Sequence, residues 1–224
     1  LPDAYAGVKA LNAVVMSLAA VPAYFLARRI MRDGLALLAA LLAVALPSLA
    51  YTGTVMTENV FYPLFLATVL VLVLVLESPA AGRVVLLLAL LALAFATRVQ
   101  AVALLPAVLL APLLLAVFER RALRSTVSRF RWLYGVTIGV GIAAIAVQLV
   151  AGRSPQELLG AYSPVGEAGY ELSEALRYLW WHVVELSLYV LVIPLAATIV
   201  LVGRARSLDG RLQAFLAATI SLTV

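Results

Sequence analysis

Cysteine is absent from this chain of 224 residues, and histidine occurs only once. The absence of cysteine excludes a disulfide framework and a thiolate metal site, and a single histidine cannot build a zinc site alone. Charged residues make up only 12% of the chain, about half the usual share in a soluble domain. The sequence also lacks a Gly-rich phosphate loop, a His-Glu-x-x-His helix and a nucleophile elbow. These absences argue against a soluble enzyme.

Apolar residues dominate the chain instead. They make up 65% of it, the mean hydropathy is +1.11, and long charge-free stretches recur along its length. This composition predicts an all-α fold, a polytopic transmembrane helical bundle that forms a single domain over residues 1–224. We expect about seven complete spans and a truncated eighth, with an outer loop at residues 152–177; the spans are expected at residues 5–27, 35–50, 59–76, 84–97, 99–118, 132–151, 178–202 and 212–224.

Both ends of the chain suggest a fragment. It starts at Leu1 without an initiator methionine, and it stops at Val224 inside an apolar run that begins near Leu212. We therefore expect that parts of the functional site lie outside these residues.

Basic residues are distributed unevenly between alternate loops. The loops around Arg28, Arg83, Arg120 and Arg204 hold most of the 16 basic residues and few acids. Cytoplasmic loops carry such an excess, so we expect these loops in the cytoplasm and a multi-pass protein of a prokaryotic plasma membrane. The same pattern explains the pI near 9.8 without a nucleic-acid partner. The basic stretch up to Arg131 is interpreted as a topology determinant, with docking on anionic headgroups as the alternative.

Arg98 lies alone inside an apolar stretch from Val84 to Phe118, which is far longer than the ~20 residues that one crossing needs. A guanidinium there is costly unless it lies at a turn, lines a wet cavity or pairs with an anion. We expect two helices that meet at a bend at Arg98. Because the span before it is short, the bend is expected to dip below the outer surface, where the arginine can grip a phosphate. The alternative is a structural salt bridge to Glu58 or Glu185.

Lys9 and Glu58 are expected at the same outer face. Lys9 offers a point charge for a phosphate, although a lysine near a helix end also extends into the headgroups without further function. Glu58 opens a span, with Tyr62 one turn below it. Its carboxylate suits a sugar hydroxyl, Arg98 or a cation, and an acid in a first turn also complements the helix dipole.

A third group of polar residues occurs near the start of span seven. Tyr178, His182 and Glu185 follow helical spacing and therefore share one helix face. Trp180 and Trp181 are typical of the membrane interface. The segment is interpreted as an interfacial helix that runs into a span. The histidine is a candidate ligand or, alternatively, an interfacial residue with an ordinary hydrogen-bond partner.

Four segments carry a family resemblance: AYAGVKALN at residues 4–12, PAYFLARR at 22–29, MTE at 56–58 and ATRVQA at 96–101. The arrangement resembles the GT-C superfamily of membrane glycosyltransferases, which take sugars from polyprenyl-phosphate carriers. It extends from Ala4 to about Leu114. The resemblance implies that Arg98 and Lys9 bind the lipid phosphate. It also implies that the first span and the first outer loop, with the acidic catalytic base, precede Leu1.

We therefore expect the full-length protein to be an enzyme, a hexosyl or pentosyl transferase. It would move a sugar from a polyprenyl-phosphate donor to a glycan, lipid or protein acceptor at the outer membrane face. Five residues are expected to orient the sugar or a cation, and a divalent cation is left open as a cofactor; the five are Glu58, Tyr62, Tyr178, His182 and Glu185. Two alternatives use the same residues: a transporter or flippase for an anionic lipid or solute, and a non-catalytic membrane subunit whose polar groups are merely paired.

Overall fold

The computed structural model describes residues 2–45, 56–154, 171–189 and 199–223. Within these ranges the regular structure is entirely helical, as the composition predicts. The longer helices are α1 (Pro2–Ser17), α2 (Ala20–Ala27), α3 (Asp33–Ala45), α4 (Glu58–Glu77), α5 (Ala81–Thr97), α6 (Leu104–Glu119), α7 (Leu123–Arg129), α8 (Arg131–Val150), α9 (Leu172–Tyr189) and α10 (Gly210–Thr223). Two short 3₁₀ helices lie at Val99–Ala103 and Ala205–Ser207.

Four segments of the described chain are long and apolar enough to cross a membrane: Ala4–Ala27, Glu58–Glu77, Val99–Glu119 and Arg131–Val150. Two further apolar helices, α3 and α5, are shorter. Parts of the spans expected at residues 35–50 and 178–202 fall outside the described residues. The expected number of seven complete spans therefore stays a prediction.

Helix α4 is central to the packing, because it contacts α1, α2, α5 and α10. In the C-terminal half of α4, Leu72 and Leu76 are fully buried. By contrast, many apolar side chains on the outside of the bundle are exposed, among them Val85 on α5 and Ile142 on α8. Such a surface is stable in lipid, where close packing rather than the hydrophobic effect holds helices together.

Alanines bring α6 and α10 close together. Ala107 and Ala111 on α6 are buried, as are Ala214, Ala217 and Ala218 on α10, and the two helices are in extensive contact. Small side chains let helix backbones approach closely, which maximises dispersion contacts. This pair of helices forms one wall of the candidate site.

The span expected at residues 5–27 coincides with the apolar segment Ala4–Ala27, and the helix within it is interrupted between Ser17 and Ala20. Pro22 explains the break, since it has no N–H to donate to the carbonyl of Leu18. That carbonyl accepts instead from the N–H of Val21, at 3.1 Å, in a tighter turn.

A bend at Arg98 is confirmed. Helix α5 ends at Thr97, Arg98 has an extended backbone (φ −147, ψ 123), and the 3₁₀ helix follows. Pro106 favours this bend, because it offers no N–H to the carbonyl of Val102 and so removes one hydrogen bond that a continuous α-helix would have. However, α5 begins at Ala81 and has 17 residues. It is therefore longer than the span expected at residues 84–97, and its length gives less reason to place Arg98 below the outer surface.

Helix α9 begins at Leu172, inside the outer loop expected at residues 152–177. The apolar residues Leu172, Leu176 and Leu179 recur at helical spacing, and Glu174 lies in the first turn, where an acid stabilises the helix dipole. A helix is therefore present where the interfacial helix was expected, and it starts earlier than residue 178; its place at a membrane interface stays a prediction.

The arginine-rich loops lie together at one end of the bundle, called the basic end below. Arg29, Arg83, Arg129 and Arg211 line one cavity of about 800 Å³ there. The guanidinium of Arg29 pairs with Glu77 at 2.6 Å, while that of Arg129 donates to the carbonyls of Leu76 and Glu77, both at 3.2 Å. Arg98 lies at the opposite end of α5.

Candidate functional site

Arg98 and Glu58 meet at the end of the bundle opposite the basic end. Nη1 of Arg98 donates to Oε1 of Glu58, in the first turn of α4. Nε donates to the side-chain oxygen of Gln100 at 2.9 Å. The guanidinium also lies over the ring of Phe61, 5.8 Å from its centroid. The bend, the carboxylate and the ring together hold the cation at a defined position.

This ion pair is open rather than sealed. The side chains of Arg98 and Glu58 keep 27% and 30% of their surface exposed. A guanidinium has five N–H donors, and the bonds to Glu58 and Gln100 use two of them. The arrangement can therefore present donors to an anion while Glu58 orients the group. The pairing with Glu58 that was considered as the structural alternative is present, but it does not close the site.

Lys9 is held by an aromatic ring. Its ammonium lies 4.4 Å from the centroid of the Tyr5 ring, on a helix that packs against α4. Among the described residues, no carboxylate lies within ion-pair distance of Lys9. Its positive charge is therefore not neutralised by that part of the chain.

Tyr62 is engaged in helix packing. Its hydroxyl donates to the backbone carbonyl of Ala43 at 3.3 Å and so connects α4 to α3. This contact directs the hydroxyl toward α3, and it does not by itself support the expected role in orienting a sugar.

The polar face of α9 lines a groove of about 1040 Å³, which it forms with α6, α10 and the adjoining 3₁₀ turn. Tyr178, His182 and Glu185, which the sequence predicts on one face, all line it. The other lining residues are Ala103, Pro106, Leu110, Arg177, Leu179, Trp181, Ser221 and Leu222. The groove thus combines an apolar wall with a set of hydrogen-bonding side chains.

One small apolar cluster connects the ion pair to the groove. The buried members of this cluster are Leu91, Ala94, Ala101 and Leu104. Phe61, which lies under Arg98, packs against the cluster, and so does Leu222, which lines the groove. The cation and the groove therefore adjoin the same packed core.

Several contributors to this site were not assigned from the sequence. Gln100 follows Arg98 by two residues, and Phe61 follows Glu58 by one turn, so local spacing offered a signal for both. Ser221 and Leu222 had no such signal, because only the packing of α10 brings them to the groove. Within the described ranges, no three histidine or acidic side chains gather into a set that can hold a metal ion.

The chain was compared with protein families, with curated proteins and with solved structures. Residues 4–150, well over half of the chain, match the family described as dolichyl-phosphate-mannose-protein mannosyltransferase. No curated protein matches the chain, and no solved structure does. The family is of the GT-C type, so the resemblance inferred from the sequence is confirmed. This chain belongs to the dolichyl-phosphate-mannose-protein mannosyltransferase family of membrane glycosyltransferases.

Proposed function

We propose that the full-length protein transfers a sugar from a polyprenyl-phosphate carrier to an acceptor at the membrane face where Arg98 lies. The observation that carries this proposal is the partly exposed guanidinium at the bend, in a chain of this family. Its basic end faces the cytoplasm by the positive-inside rule, so the Arg98 end faces outward.

The chemistry explains why a fixed cation is useful here. When the bond between the sugar and the phosphate breaks, negative charge grows on the departing lipid phosphate. A guanidinium aimed at an oxygen of this phosphate interacts more strongly with the transition state than with the ground state, which lowers the barrier. We propose that Arg98 supplies this contact and that Lys9 assists it. Among the described residues, Lys9 has no acidic partner that would neutralise its charge. The acceptor hydroxyl gives its proton to a general base, to which we assign no residue.

The groove suits the remaining parts of such a donor. Its apolar residues, among them Pro106, Leu110 and Leu222, provide a surface for the polyprenyl chain. Its polar residues, His182, Glu185 and Tyr178, provide donors and acceptors for sugar hydroxyls. The acceptor is proposed only as a hydroxyl-bearing glycan, lipid or protein.

The decisive experiment separates a phosphate ligand from a structural partner of Glu58. We would measure sugar transfer from a polyprenyl-phosphate donor by the full-length enzyme with Arg98→Ala, with Glu58→Ala and with both changes. Loss of a cation that stabilises the leaving group should lower kcat/KM by roughly 10²–10³-fold. Because Arg98→Ala leaves Glu58 without its partner, the single variant alone cannot separate the two roles.

The double variant separates the two roles of Arg98, as phosphate ligand and as partner of Glu58. If Arg98 binds the phosphate, the double variant stays as inactive as Arg98→Ala. If the arginine serves only to neutralise Glu58, the double variant regains activity, and the proposal fails. Arg32→Ala, which removes an exposed arginine near the basic end, is the matched control and should leave kcat/KM unchanged.

A further inference from the structure

A second, smaller cavity lies at the basic end, beside the C-terminus of α6. It has a volume of about 600 Å³. Its lining residues are Phe118, Glu119, Arg120, Arg121, Arg206 and Gln213. Gln213 donates to the carbonyl of Ala205 at 2.9 Å, which holds the 3₁₀ turn of Arg206 against α10.

The charges around this cavity do not balance. Glu119 is already paired twice, with Nε of Arg121 at 2.6 Å and with Nη1 of Arg129 at 3.3 Å. Arg120 and Arg206 line the same cavity, and in the described part of the chain neither has an acidic partner. Two guanidinium groups are therefore available to an anion at this place.

The backbone of Arg120 provides an independent observation. Its φ of 54 and ψ of 36 lie in the left-handed region, and it is the only non-glycine residue with a positive φ among those described. The position follows the end of α6, where the N–H of Arg121 bonds to the carbonyl of Ala116 at 2.9 Å. Glycine is the favoured residue at such a helix end. An arginine there is strained, which points to a role for its side chain.

The location indicates the kind of anion. Helices α4 and α6 end at Glu77 and Glu119, so the cavity lies where apolar spans give way to polar loops, which is where we expect the lipid headgroups. Arginine binds phosphate oxygens through paired hydrogen bonds, and basic pockets at this depth attract anionic lipids. We infer that the cavity between Arg120 and Arg206 is a binding site for the phosphate of an anionic phospholipid. This inference is independent of the sugar-transfer site at the other end of the bundle.

The strain at Arg120 gives a sharp test. Arg120→Gly removes the guanidinium and relieves the backbone, so it should keep or raise thermal stability while it weakens lipid binding. Arg206→Gln removes the second cation at a position without strain. Arg124→Gln is the matched control, because Arg124 is exposed in the same basic segment but does not line the cavity. Sugar transfer, measured in parallel, should be unchanged in all three.

The measurement is native mass spectrometry of the full-length protein in detergent, with phosphatidylglycerol, phosphatidylcholine or inorganic phosphate added. We expect retention of phosphatidylglycerol over phosphatidylcholine, and a loss of about fivefold in its affinity for each cavity arginine removed. An equal loss in Arg124→Gln would mean diffuse attraction and would overturn the site. Inorganic phosphate that binds with the same arginine dependence, while phosphatidylglycerol does not, would overturn the assignment to a lipid.

Discussion

Arg98 and Glu58 form an ion pair across 40 residues of sequence, and it joins the bend after α5 to the first turn of α4. Both side chains remain partly exposed. A pair of this kind contributes little to stability, about 1 kcal/mol or less, because solvent screens it. Its main effect is on the position of the guanidinium.

Neutralising Glu58 should therefore affect donor binding more than folding. Glu58→Gln keeps an oxygen acceptor near Arg98 but removes the charge that draws the guanidinium to it. We expect KM for the polyprenyl-phosphate donor to change several-fold, with a thermal midpoint close to that of the native protein. The measurement is a set of initial rates at varied donor concentration, alongside a thermal melt. A large drop in the melting temperature with unchanged KM would assign the pair a structural role instead.

The groove provides a second prediction. His182→Ala removes a hydrogen-bonding group that lines the groove, and Glu185→Gln removes the charge of an acceptor there. Each should lower kcat/KM by about tenfold, as expected for one lost or weakened interaction of 1–2 kcal/mol. Ser173→Ala is a suitable control, because Ser173 is exposed on the same helix and does not line the groove. Full activity in both groove variants would remove α9 from the donor site.

The contact between α6 and α10 provides a test of the fold. Ala217 is fully buried on α10, so Ala217→Leu forces the two helices apart and should cost about 1–3 kcal/mol of stability. Ala143→Leu, at an exposed position on α8, adds the same side chain without a clash. Thermal unfolding in detergent should separate the two variants. Equal melting temperatures would contradict the close packing.

Pro22 is predicted to cause the interruption between α1 and α2. Pro22→Ala restores an N–H that can bond to the carbonyl of Leu18, so the two helices should become one straight segment. The chain has no cysteine, so cysteines introduced at Gly7 and Arg32 would be the only sites for a pair of spin labels. The distance between the labels should lengthen in Pro22→Ala. An unchanged distance would mean that packing against α4, and not the proline, sets the break.

Much of this architecture was accessible from the sequence because it depends on local composition. Apolar runs predict helices, and a lone arginine in such a run predicts a bend, which the structure has at Arg98. The break at Leu18 was also encoded locally, by Pro22, but the hydropathy pattern runs through it without interruption.

Other features depend on contacts between distant segments. From the sequence, Glu58 and Glu185 were alternative partners for Arg98. The packing of α4 beside α5 places Glu58 next to it. For the same reason, the part played by α10 in the groove and the bond from Tyr62 to α3 were not predictable.

The alanine-rich contact between α6 and α10 has a mechanical consequence. These two helices are closely packed, and α6 continues directly from the turn that carries Arg98. Helix α9 is different, since most of its characterised side chains are exposed, including Trp180 and Trp181. If the proposed lipid donor enters the groove, we expect α9 to move aside rather than this pair of helices, so that Arg98 keeps its position during binding and release.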